Sequence, residues 1–147
     1  MIWVHITLSL LSYAAFLTAF IAGILFLIQE RQLKRKTMGV LFHHLPSLSA
    51  LDRINFRAIG LGFSLFSLGL LFGFVELRVA LGRWWVEDNK TYLAIVVWAS
   101  YLGLWVLRLR STLRGRRVAL LSILGFSLVL FTFLETSYFR GTTHPYL

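Results

Sequence analysis

Two histidines stand at opposite ends of the chain, His5 ahead of the first apolar run and His144 behind the last. A short loop from Leu81 to Lys90, LGRWWVEDNK, lies between them in sequence and carries two adjacent indoles. An even number of membrane crossings separates the loop from each histidine, which places all three at one face. Opposed imidazoles, an aromatic wall and nearby cations are what a flat ring with a central iron and two propionates requires. In that reading His5 and His144 are axial ligands of a haem iron, Trp84 and Trp85 wall the ring, and Arg83 and Lys90 neutralise the propionates. Arg140 is a further cation within reach of the same face.

A plainer reading stands beside it. Trp and Tyr gather at membrane–water interfaces whatever the protein does, and a terminal histidine in water costs nothing. Zinc is poorly served, because the face offers only His5, His144, Glu87 and Asp88, with Glu76 or Glu135 further in. There is no cysteine, hence no disulfide, no thiolate metal site and no CxxCH for covalent haem attachment.

The elements that must position these residues are membrane helices. Of 147 residues, 58% are hydrophobic and only 14% charged, and the mean hydropathy of +0.76 excludes an ordinary soluble domain. Long charge-free runs place four spans at about 6–28, 58–77, 91–107 and 118–138, each of a length that crosses about 30 Å of hydrocarbon. Helices follow because hydrocarbon offers no partner to backbone N–H or C=O groups, and the runs lack the alternation of a barrel strand. The fold class expected is all-α: one polytopic four-helix bundle forming a single membrane domain.

The net charge of +9 raises the question of nucleic acid, but its placement answers otherwise. Arg31, Lys34, Arg35, Lys36, Arg53 and Arg57 lie between the first two spans, and Arg108, Arg110, Arg114, Arg116 and Arg117 between the last two. Eleven of fifteen basic residues thus occupy one side. The positive-inside rule makes the 29–57 loop cytoplasmic and puts both termini and the 78–90 loop outside. A bacterial inner membrane is the expected location, with the bilayer and other membrane subunits as partners and no nucleic acid. The first span has no basic residue before it, so no cleavage of a signal peptide is expected.

Small residues recur at four-residue spacing, as Ala15, Ala19 and Gly23, as Gly69 and Gly73, and as Ala99 and Gly103, marking faces where helices approach closely. Pro46 is expected to start a short helix along the interface, with Leu41, Leu45, Leu48 and Leu51 on one side of it. His43 and His44 fall in that segment and read as surface residues. Glu135 lies near the outer end of the fourth span, where Arg78, Lys90 or Arg140 is the expected partner.

With these residues in view, the chain resembles the cytochrome c assembly family, the CcsA and HemX-like haem-handling proteins, over their C-terminal four-helix part. The resemblance runs through His5 and LSYAAF (Leu11 to Phe16), QERQLKRK (Gln29 to Lys36), LPSL (Leu45 to Leu48) and Leu51–Asp52. The family's tryptophan-rich WWD motif, WGxxWxWDPKE, is matched at Gly82, Trp85, Asp88 and Lys90. Leu81 and Glu87 stand where the motif has tryptophan, Asn89 where it has proline and Thr91 where it has glutamate. Ala94, Trp98, Tyr101 and Arg108 keep the pattern, as do Gly115 to Phe133 and the terminal THPY with His144 and Tyr146.

The resemblance implies that His5 and His144 ligate haem b against the loop, with Asp88 part of the loop's haem platform. It also implies an incomplete apparatus. A histidine that family members use near the inner end of the third span is replaced by Val106, and the preceding helices are absent, which argues against a complete haem exporter and synthase. The alternative is a structural or regulatory membrane subunit, HemX-like, that keeps the scaffold without haem.

Overall fold

In the computed structural model, which describes residues 2–37, 39–85, 87–110 and 115–142, the chain forms five helices and, among the described residues, no strand. They are α1 (Ile2–Arg35), the short α2 (Val40–His44), α3 (Leu48–Leu81), α4 (Asn89–Leu109) and α5 (Arg116–Thr142). Within each of α1, α3, α4 and α5 lies a segment long and apolar enough to cross a membrane. At 1.5 Å per residue, the 34-residue α1 and α3 are roughly 50 Å long and outrun the hydrocarbon.

Local chemistry sets the ends. Basic Lys34 and Arg35 close α1, where the carbonyl end of the helix dipole favours cations. Pro46 and Ser47 do not begin an interfacial helix, as the sequence suggested. The short helix precedes them, and Ser47 caps α3 by accepting a hydrogen bond from the Ala50 N–H at 3.3 Å. Proline can neither donate to nor continue a preceding helix, so the chain breaks there and α3 runs on unbroken through the charged turn with Asp52 and Arg53. At its far end Gly82, in the left-handed region at φ 69°, donates its N–H to the Arg78 carbonyl and ends α3.

The four long helices form a ring: α1 packs on α3 and α5, and α4 on the same two. Side chains span both diagonals. The Phe16 ring of α1 stacks on Tyr101 of α4, centroids 3.8 Å apart, with Phe66 of α3 at its edge. Gly62 admits that stack, because a Cβ there would stand 2.7 Å from the Phe16 ring. On the other diagonal, Asn55 of α3 donates to the Ala19 carbonyl of α1 at 2.7 Å and pairs with Ser122 of α5 at 3.0 Å. In lipid, such packing and hydrogen bonds replace the hydrophobic drive between helices.

The small-residue repeats on α1 and α3 sit at helix contacts, with Gly23 against the Ala119 backbone of α5 and Gly69 against Ser9 of α1. The Ala99–Gly103 pair does not: Ala99 is exposed and a Cβ on Gly103 would meet open space. The orientation of α4 that buries Val97, Tyr101 and Leu104 leaves Ala99 exposed and Gly103 half-buried. Toward the basic end, Arg108 of α4 forms a two-pronged ion pair with Asp52 of α3, at 2.8 and 2.5 Å, and lies over the Phe56 ring.

Candidate functional site

At the end of the bundle opposite the basic loops, all four long helices line a cavity of about 380 Å³, within the range of small-molecule sites. α1 contributes His5 and Tyr13, α3 contributes Phe66, Gly73 and Phe74, α4 contributes Lys90 and Thr91, and α5 contributes Thr132. Its walls are mainly apolar, with a few polar groups among them.

His5 is held there by α3. Its Nδ1 lies 2.7 Å from the Gly69 carbonyl oxygen, and a Cβ on Gly73 would stand 3.1 Å from the ring. A carbonyl can only accept, so the hydrogen bond requires Nδ1 to carry a proton, which leaves the lone pair of the neutral ring on Nε2. An Nδ1–H bonded to a backbone carbonyl, with Nε2 left over, is the arrangement that orients imidazole as a metal ligand. The Gly69 and Gly73 spacing, which reads in sequence as packing alone, is the signal that would have located this seat.

The loop after α3 is organised around Arg78 and Phe74. Arg78 donates to the Gly82 carbonyl and its guanidinium lies 5.7 Å over the Trp84 ring. Trp85 lies near-parallel to Phe74, 15° between planes and 6.4 Å between centroids, and meets Tyr92 edge-on. Asp88 occupies the N-cap position of α4 without a side-chain capping bond, while its carbonyl accepts from the Thr91 N–H at 3.0 Å.

The structure therefore brings His5 and Lys90 to one cavity and sets Trp85 one ring behind its wall, through Phe74. Trp84, Arg83 and Asp88 are exposed on the loop and do not line the cavity. His144 lies outside the described residues, as does Tyr146. Among the described side chains the ion pairs are Glu30–Lys34 and Asp52–Arg108, so Glu135 is not paired with Arg78 or Lys90. Among the described residues no three His, Asp or Glu side chains converge. Sequence reasoning also missed Tyr13, Thr91 and Thr132, ordinary residues in helices that only the bundle gathers.

A family model described as cytochrome C assembly protein matches residues 1–144. The chain belongs to the cytochrome c assembly protein family. Among its relatives, a cytochrome c biogenesis protein CcsA of Prochlorococcus marinus subsp. pastoris is 30% identical, over 97% of this chain and 51% of the relative. CcsA of a Synechococcus strain is 28% identical over 97% of this chain and 56% of its own length. CcsA of Chlamydomonas reinhardtii is 30% identical, over 97% of this chain and 39% of its own. The chain spans about half the length of the curated relatives it matches. No solved structure matches it. Family membership and the four candidate spans together make this a multi-pass membrane protein of the cytochrome c assembly type.

Proposed function

We propose that this member of the family works in cytochrome c assembly by holding haem b at the outer membrane face, where His5 and His144 would hold its iron. The observation that carries the reading is the His5–Gly69 hydrogen bond, which leaves Nε2 as the ligating nitrogen of a residue lining the cavity. The residues present fit the group: an oriented imidazole, the Phe66, Phe74 and Tyr13 rings, and the Lys90 ammonium for a propionate. Trp85 backs the Phe74 wall, and Arg83, on the exposed loop, is a second cation for propionates. Bound there, haem supplies the iron and the ring to be passed on, while the chain orients the ligand nitrogen and screens one face from water. In this reading both termini and the 78–90 loop lie outside the inner membrane of a bacterium, and other membrane subunits are partners.

The test is the absorption spectrum of the detergent-purified protein, oxidised and dithionite-reduced, with haem added. A six-coordinate low-spin spectrum is expected in the native chain, lost in His5→Ala and in His144→Ala and kept when His43 or His44 is replaced. An unchanged spectrum in both outer mutants would sink the assignment. One observation favours the second reading, a structural or regulatory subunit without haem: Trp84 is engaged by Arg78 and does not line the cavity. That reading gains if no haem is taken up.

A further inference from the structure

The opposite end of the molecule holds a second concavity, a groove of about 740 Å³ between α1 and α5. Arg31, Lys34 and Arg35 from the last turns of α1 and Arg116 from the first turn of α5 line it. The carboxylate among its lining residues, Glu30, is already engaged by Lys34 at 3.1 Å, so the groove keeps an excess of positive charge. The start of α5 adds to that field, because the first N–H groups of a helix have no partner within it and point outward. Below the cations the lining changes character. Ile24, Ile28 and Leu120 continue the groove along the apolar part of the two spans.

We propose that this groove is a binding site for an anionic phospholipid of the adjoining leaflet. The phosphodiester sits between Arg31, Arg35 and Arg116 at the α5 N-terminus, and an acyl chain runs along Ile24, Ile28 and Leu120. Free phosphate satisfies the cations but leaves the apolar stretch unused, whereas a lipid engages both. Guanidinium groups suit the head, since their forked donors match two phosphate oxygens. A basic pocket between membrane helices is the place where anionic headgroups settle. All four cationic residues are exposed, so charge-neutral replacements leave the core untouched.

The experiment titrates the full chain, in a non-ionic detergent, with phosphatidylglycerol, phosphatidylcholine and inorganic phosphate, counting bound lipid by native mass spectrometry. Saturable binding of one phosphatidylglycerol is expected, at least tenfold tighter than phosphatidylcholine and undisturbed by millimolar phosphate. Arg31→Gln with Arg116→Gln is expected to weaken it about thirtyfold, from roughly fivefold per cation. Arg53→Gln with Arg57→Gln removes equal charge from the same end outside the groove and is expected to leave it intact. Equal losses in the two double variants would mean diffuse attraction to a basic surface and would overturn the site. Equal affinity for the two lipids, or displacement by phosphate, overturns it as well.

Discussion

The middle of the bundle and its histidine end are built from the same four helices, yet one is filled and the other is open. In the middle, Phe16 and Tyr101 stack across one diagonal while Asn55 and Ser122 bridge the other, and Phe16, Ile59 and Tyr101 are essentially sealed from solvent. About three helical turns nearer the N-terminus of α1, the side chains of the four helices do not meet on the axis, and a cavity with His5, Tyr13, Phe66 and Phe74 on its walls remains. The two tasks are divided along the axis: dense packing at mid-bundle fixes the helices so that the end can stay concave.

Changes to the middle should therefore cost stability and spare ligation, while changes at the end should do the reverse. The largest effect is expected from Phe16→Ala, about 3–5 kcal/mol of stability in a detergent-denaturation series, with the low-spin haem spectrum kept below the transition. Loss of the spectrum before the helices come apart would break the division. Asp52→Ala strands the Arg108 guanidinium, whose side chain is only 10% exposed, and is expected to destabilise by about 2–3 kcal/mol. The Asp52→Asn variant should recover part of that loss, since it keeps an acceptor, and a full recovery would show that the charge itself adds nothing. Asn55→Ala should cost about 1 kcal/mol, in keeping with the modest worth of interhelical hydrogen bonds in membranes.

Gly73→Ala acts at the histidine end. Its methyl group would stand 3.1 Å from the His5 ring, so the imidazole must give by a few tenths of an ångström. Stability is expected to change by less than about 1 kcal/mol. The added-haem spectrum, however, should broaden or shift toward five-coordinate character, whereas Gly69→Ala, with 3.4 Å to the Ser9 hydroxyl, should do less. Identical spectra for native protein and Gly73→Ala would mean that α3 does not seat the ligand.

Much of the fold was legible because membrane helices declare themselves in one dimension. A charge-free run long enough to cross hydrocarbon must be helical, and α1, α3, α4 and α5 each contain one of the four runs. The candidate site was legible in part. His5 and Lys90 do share a cavity, but of the two loop tryptophans Trp85 stands behind its wall and Trp84 beside it, since rotation of a loop about its anchors is not written in residue spacing. Pro46 was visible as a punctuation mark, and which side of it the short helix falls on was decided by the Ser47 cap.

By itself, then, the sequence determined the class, the number of spans, the segregation of charge to one end and the family, all properties of composition and order along the chain. Only the tertiary structure decided that Asn55 meets Ser122, that Asp52 meets Arg108, and that the Gly69 carbonyl takes the proton-bearing nitrogen of His5. The reason is that four apolar cylinders in lipid feel no strong preference for one rotation over another until side chains interlock. The choice rests on close contacts between residues 56 to 67 positions apart, which no local pattern encodes.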